Sequence, residues 1–289
     1  MFGPRRPFRI RLPHGRTLDL GVLCLVMGIL NVTPDSFADA GSRLDPGLAA
    51  AAGLEMEAQG ADLIDVGGES TRPGADVVPA NVERARVVPV IERLARELRV
   101  PISIDTTKAD VARAALDAGA QVANDVSGLR EGDALARAAA ERGAAVVLMH
   151  SRCDPKTMDA AAEYDDLMRD VATELAASVA RACAAGVSLD RILIDPGVGF
   201  AKRPEHSYGV LARLPELAAA LGRPVLVGPS RKSFMRRALG DRPPAARDWG
   251  TAAAVTAAVL AGAHLVRVHA VAEMVQVVRV AEEIRTHAR

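Results

Sequence analysis

Short runs of aliphatic and β-branched residues recur along the whole chain, each ending in polar or glycine residues and each followed by a stretch rich in Ala, Leu, Glu and Arg. Eight such runs stand out: Leu25 to Asn31, Ala61 to Gly68, Val100 to Thr106, Gln121 to Ser127, Ala144 to His150, Arg191 to Gly197, Pro224 to Ser230 and His264 to His269. The stretches between them carry helix punctuation. Asp45-Pro46 starts one helix, and Thr107 followed by Asp110 starts another in the manner of a capping box. Gly60, Gly119, Gly143, Gly186, Gly222 and Gly262 stop six. Upstream of the first run, Phe8, Ile10 and Leu12 alternate with Arg. Pro13-His14-Gly15 marks a turn before Thr17 to Leu20, so the basic first 20 residues read as a β-hairpin with a solvated Arg face and not as a transit peptide.

Eight strand and helix units in 289 residues slightly exceed the roughly 250 of a typical (β/α)8 barrel. The expected fold is therefore α/β, a single (β/α)8 TIM barrel over residues 21–289, with the hairpin of residues 1–20 as part of the same domain. A doubly wound sheet would need a glycine fingerprint after the first strand, and Gly28-Ile29-Leu30-Asn31 offers no GxGxxG. Between the seventh and eighth runs lie two helical pieces, a short one after Ser230 and a long Ala-rich one from about Trp249 to Ala261; an extra short helix at this point often holds an anion in such barrels.

Composition narrows the function. Lys+Arg and Asp+Glu are both 36, which gives no global attraction to nucleic acid or anionic membrane. Hydrophobic residues make 49% and charged residues 25%, a globular balance, and aromatics of only 3% require an aliphatic core. The longest weakly apolar run, Ala252 to Ala263, is short of the ~18 to 20 residues that span a bilayer. Cys24, Cys153 and Cys183 form an odd, scattered set without a CxxC pair, which argues against a disulfide framework and for a reducing cytoplasm.

In a (β/α)8 barrel the chemistry sits at the carboxyl ends of the strands. Here nearly every run ends in a polar group: Asn31; Glu69-Ser70-Thr71-Arg72; Asp105; Asn124-Asp125; His150; Asp195; Ser230-Arg231-Lys232; Arg267 and His269. Asp105, Asn124 and Asp195 close near-continuous apolar strands and want a donor-rich partner. Two carboxylates flanking an amide suit a 2-amino-4-oxo pyrimidine ring, because a carboxylate accepts two parallel N–H bonds and an amide both donates and accepts. The competing role is helix capping, which Thr106 and Thr107 could share with Asp105. A second group is cationic: Arg267 and His269 share a strand face by alternation, and Asn31, Thr71 and Arg72 converge from the other side as a cradle the size of a diphosphate. The Asn31 carboxamide and phosphate oxygens together would suit Mg²⁺. Lys232 opens the short helix after strand seven; with four Lys against 32 Arg in the chain, its placement carries information.

These residues lie in runs that resemble the dihydropteroate synthase family. The longest are Met27-Gly28-Ile29-Leu30-Asn31-Val32-Thr33-Pro34-Asp35-Ser36-Phe37 and Asp65-Val66-Gly67-Gly68-Glu69-Ser70-Thr71-Arg72-Pro73-Gly74. Further runs are Ser103 to Thr106, Asn124 to Gly128, Leu148 to His150, Ile194 to Phe200, Ser230 to Phe234 and Arg267 to His269. The resemblance extends from about residue 25 to the end. It implies a cytoplasmic, homodimeric folate-pathway transferase that joins 6-hydroxymethyl-7,8-dihydropterin diphosphate to 4-aminobenzoate, with Mg²⁺ as cofactor and sulfonamides as inhibitors. By that resemblance Asp105, Asn124, Met149, Asp195, Gly228 and Lys232 hold the pterin. Asn31, Thr71, Arg72, Arg267 and His269 face the diphosphate, with Asn31 on the metal, and Phe37, Pro73, Phe200 and Ser233 form the aminobenzoate site.

The sequence departs from the family pattern at several positions. Ala270 follows His269 where Asp is common, Ala201 replaces Gly, Ala38 and Ala40 stand in the first loop, and Ser151-Arg152-Cys153-Asp154 replaces a frequent Met-Gln-Gly-Asn. An Asp after His269 could orient the ring, so its absence bears on the tautomer. His150 and Cys153 read as a structural histidine beside a free thiol and not as a metal or nucleophile pair. Two rival functions follow: a pterin-dependent methyltransferase barrel, which has no need of a diphosphate cradle, and a non-catalytic or weakly active pterin-binding paralogue, which would bind the pterin diphosphate without forming pteroate.

Overall fold

A computed structural model describes residues 3–33, 45–70, 77–152 and 162–288. All eight expected runs form parallel strands: β3 (Leu25–Asn31), β4 (Leu63–Gly67), β5 (Ile102–Asp105), β6 (Val122–Asp125), β7 (Ala145–Met149), β8 (Ile192–Asp195), β9 (Leu226–Val227) and β10 (Leu265–Val268). Neighbours pair in chain order from β3 to β8, and β10 lies between β3 and β9. The ring is closed between β8 and β9 by a parallel bridge at Ile194 and Val225, with the Ile194 amide donating to the Pro224 carbonyl over 3.0 Å. The fold is the (β/α)8 barrel.

The expected hairpin is also present. β1 (Phe8–Arg11) and β2 (Thr17–Leu20) pair antiparallel, Ile10 opposite Leu18. Their apolar face, Ile10, Leu12, Leu18 and Leu20, packs with Met27, Leu63, Val122, Leu193 and Leu265 from the amino-terminal halves of the barrel strands. The hairpin thus plugs the end of the barrel opposite the strand tips. Because side chains alternate in direction along a strand, the residues that share the inward face with these apolar ones one step further on are Asp65, Asn124, Asp195 and Arg267. One end of the bore is aliphatic and the other is charged. The outward faces form a second, larger aliphatic cluster with the helices.

The Arg face of the hairpin is solvated, with Arg9, Arg11 and Arg16 exposed. Arg9 pairs with Asp19 in solvent, but Arg5, just before β1, is buried and donates to Glu282 over 2.7 Å. Glu282 also accepts the Cys24 amide at 2.7 Å, so one buried carboxylate joins the start of the chain to its last helix.

The described helices of at least one full turn are α1 (Pro46–Ala58), α2 (Ala80–Glu97), α3 (Ala109–Asp117), α4 (Ala134–Glu141), α5 (Leu167–Ala184), α6 (Pro204–Ala212), α7 (Leu214–Leu221), α8 (Arg236–Leu239), α9 (Asp248–Leu260) and α10 (Val271–His287). Asp45 caps α1 by accepting the Gly47 and Leu48 amides, with Pro46 in the first turn. The six stop glycines follow the ends of α1, α3, α4, α5, α7 and α9. The expected capping box at Thr107 does not form: α3 begins after Lys108, and Thr106 Oγ accepts the Lys108 amide instead. Lys108 has a different task, bridging Glu69 and the buried Glu83. The two helical pieces between β9 and β10 are a 3₁₀ turn (Ser233–Met235) running into the short α8, and the long α9.

Candidate active site

Register brings the polar groups together. β4 sets Gly67 beside Asp105, β5 sets Asp105 beside Asn124, and β7 sets Met149 beside Asp195. Across the bore, Arg267 from β10 reaches both flanking carboxylates. Its Nε donates to Asp65 Oδ2 and its Nη2 to Asp105 Oδ2, each at 2.6 Å. Asn124 Nδ2 donates to the same Asp65 oxygen at 3.0 Å. Arg267, assigned to the anionic cradle by the resemblance, therefore also ties the carboxylate group together. Asp105 bonds to the guanidinium and not to a helix amide, so its role is not capping.

Each of these carboxylates keeps one buried oxygen, Oδ1 of Asp65 and Oδ1 of Asp105, without a hydrogen-bond partner. A buried acceptor left unmet costs free energy, so the arrangement calls for a ligand that brings N–H donors. Burial pushes Asp105 up to about 7, opposed chiefly by Arg267 and reinforced by the nearby Asp65. Donors from a ligand would favour the charged form and reverse part of that cost. Asp195 is likewise raised by burial, with the Lys232 charge and the Gly197 amide opposing; Asp195 Oδ1 accepts that amide at 2.7 Å. Asp125, at the end of β6, accepts the Ser127 and Leu129 amides and shapes the following turn.

Lys232 stands near Asp195. Its ammonium donates to the Val198 carbonyl at 2.5 Å and sits 4.5 Å from the centroid of the Phe200 ring. Burial lowers it to about 8, with Asp195 the main opposing charge. Gly199, at φ +80°, passes so close that an added Cβ would stand 3.0 Å from the lysine stem. Gly228 is buried, and a Cβ there would meet Arg267 and Asp195. Met149 is buried at the tip of β7, and Ser233 is exposed in the 3₁₀ turn. His269 follows β10, with Nδ1 2.9 Å from Ser230 Oγ. Asn31 is half-buried at the tip of β3. Thr71, Arg72, Phe37 and Pro73 lie outside the described residues, as do Ala38, Ala40, Cys153 and Asp154.

Several contributors were not visible in the sequence reading. Asp65 stands within a strand and not at its end; its signal is the two-residue spacing from Leu63, which puts an acid on the inward face. Lys202, buried behind Phe200, has its ammonium 2.7 Å from His150 Nδ1 and donates to the Phe200 carbonyl at 3.3 Å. Burial brings it down to about 7. His150 places Nε2 3.0 Å from Glu174 and is lowered by burial to about 4, so it is a neutral structural histidine. Glu174 also holds Arg152 in a fork, and Arg152 stacks 3.9 Å from the Tyr164 ring centroid. Gly197 admits this packing: at φ +66° it runs against the His150 carbonyl, where a Cβ would stand 2.0 Å away.

A barrel whose strand tips gather unmet carboxylate oxygens, an amide, a lysine and a histidine is an enzyme for a small, donor-rich ligand. Residues 27–269 match the family model described as "Pterin binding enzyme". The dihydropteroate synthase of Synechocystis sp. is 46% identical over 274 residues, covering 94% of both chains, and that of Escherichia coli K12 is 45% identical over 257 residues, covering 89% and 90%. Among solved structures, Xanthomonas albilineans dihydropteroate synthase with 4-aminobenzoic acid superposes with a TM-score of 0.88 at 43% identity, covering 97% of this chain and 99% of that one. The same enzyme in complex with 7,8-dihydropteroate gives 0.84 at 41%, covering 96% and 98%. The chain belongs to the pterin-binding enzyme family, among the dihydropteroate synthases.

Proposed function

We propose that this dihydropteroate synthase joins 6-hydroxymethyl-7,8-dihydropterin diphosphate to 4-aminobenzoate by a dissociative, magnesium-assisted substitution. The observation that carries the reading is the Asp65–Arg267–Asp105 fork with two unmet carboxylate oxygens beside Asn124, a set of acceptors for the amino and ring N–H groups of a pterin. Asp105, Asn124 and Asp195 bind the ring edge, Met149 and Gly228 line its slot, and Lys232 holds it from the β9 side. Phe200 and Ser233, with Phe37 and Pro73, receive the aminobenzoate.

In the reaction the C–O bond to the diphosphate breaks with its electron pair leaving on oxygen. The aniline nitrogen then forms the C–N bond and loses a proton. The chain contributes charge management: Arg267, His269, Thr71 and Arg72 favour the departing anion, and Asp105 and Asp195 favour the transient positive charge on the pterin methylene. No side-chain nucleophile takes part. Mg²⁺ would be held by Asn31 together with the substrate's diphosphate, an all-oxygen set of the kind that ion takes. It would supply charge neutralisation for the leaving group.

A cytoplasmic location and a homodimer complete the proposal. Among the described residues no helix is long and apolar enough to cross a membrane. The dimer is supported by Trp249 on α9 and by Val280 and Ile284 on α10, large apolar side chains left in solvent. A coupled assay of diphosphate release, run with and without 4-aminobenzoate and Mg²⁺, tests the activity. Release that needs both, with 7,8-dihydropteroate as product, is the expected result; pterin diphosphate binding without pteroate would replace the catalyst with a binding paralogue.

A further inference from the structure

We propose that Ser230 is a positioning residue for His269: its hydroxyl fixes the imidazole as the neutral tautomer that carries its proton on Nε2. Ser230 is buried just after β9, and its Oγ is 3.2 Å from the His269 backbone nitrogen and 2.9 Å from His269 Nδ1. The backbone N–H can only donate, so it occupies one lone pair of the hydroxyl oxygen. The hydroxyl proton still requires an acceptor, because a buried O–H without one is costly. Nδ1 is the remaining atom paired with Ser230. Nδ1 must therefore accept, and in a neutral ring the proton goes to Nε2, across the ring from Ser230. Ala270, the next residue, has no polar side chain that could do this work.

The serine is itself held rigidly. Arg231 turns the chain in the left-handed region at φ +59°, an uncommon conformation for a residue with a side chain. Three groups around the start of α9 hold it there. Asp248 accepts its guanidinium in a fork at 2.8 Å on both arms, Thr251 Oγ accepts its amide at 3.0 Å, and Arg247 donates to its carbonyl at 2.9 Å. The turn points Ser230 at His269 and Lys232 at the Val198 carbonyl. The consequence for catalysis rests on the synthase reading: an Nε2–H is a fixed donor for an anion such as the diphosphate, with no proton left to chance between two nitrogens.

The test is ¹⁵N NMR of the enzyme labelled at histidine, with His269→Gln used to identify the resonances, joined to steady-state kinetics. The wild-type ring should show one neutral tautomer with its pyridine-type nitrogen at Nδ1, and Ser230→Ala should show both neutral tautomers in exchange. In that variant kcat/KM for the pterin diphosphate should fall about tenfold, the effect of one hydrogen bond, with the KM for 4-aminobenzoate unchanged. Ser230→Thr, which keeps the hydroxyl, should restore both readouts. A wild-type ring protonated on Nδ1, or a Ser230→Ala enzyme with unaltered resonances and kinetics, overturns the proposal. If Ser230→Ala fails to fold, the wild-type spectrum alone decides. A wild-type enzyme that makes no pteroate would sink the synthase reading and leave the tautomer to be judged by the spectrum.

Discussion

Asp105 is an acid that pays for its place: its charge is disfavoured by burial and rescued in part by Arg267. Its folded value of about 7 lies above the ordinary 3.8, so its contribution to the stability of the ligand-free protein is present in full below 3.8 and is lost as pH rises through 7. Asp105→Asn removes that titration. The melting temperature of Asp105→Asn relative to wild type should therefore climb between pH 5 and pH 8, while pterin binding is lost; a difference that stays flat with pH would refute the buried-acid account. Lys232→Ala should weaken pterin binding, and Arg267→Ala should slow turnover and destabilise the fold by about 3 kcal/mol, because it leaves two buried carboxylates without their shared cation. Calorimetric titration with pterin diphosphate and denaturant unfolding check the two. Asp105, Asn124, Asp195, Lys232, Arg267 and His269 were all legible as strand ends. Asp65 was not, because it stands in the middle of β4 and not at its end, and which carboxylates an arginine reaches depends on barrel register, which no local pattern encodes.

At the scale of elements, the strands were legible because each is a short apolar run between glycine and helix signals, and the ring follows from counting them. The start of α3 was misplaced because Lys108, drawn to Glu69 and Glu83, takes the cap position from Thr107. The hairpin was legible as a pair of strands but not as a plug, since its alternation shows an apolar face without showing what that face meets. It meets the closed end of the bore, one inward layer along the strands from the charged groups. Ile10→Ala should therefore cost about 2–5 kcal/mol through the cavity it leaves, with the KM values for both substrates unchanged. Denaturant unfolding alongside the diphosphate-release assay would show it, and a raised KM would mean that the plug reaches the site. Asp248→Ala should act in the opposite sense, lowering kcat/KM by loosening the Arg231 turn with little loss of stability.

For the whole molecule, the bonded set of Asp65, Asn124, Asp105 and Arg267 forms within one barrel, and the surface open to assembly is the outer wall. α9 and α10 pack against each other on that wall. They leave Trp249 89% exposed, Val280 62% and Ile284 50%, the first of these a large aromatic surface that water solvates poorly. A second copy of the chain covering Trp249 would bury it at the start of α9, beside the Asp248–Arg231 pair. Wild-type enzyme should then sediment as a dimer, and Trp249→Glu combined with Ile284→Glu should sediment as a monomer, because a charge brought into an apolar interface must be desolvated without a partner. The monomer should keep its turnover, since the bonded set of Asp65, Asn124, Asp105 and Arg267 forms within one copy. Monomeric wild-type protein would remove the dimer, and a monomeric variant that has lost activity while still binding pterin diphosphate would show that the partner braces the loops around the mouth.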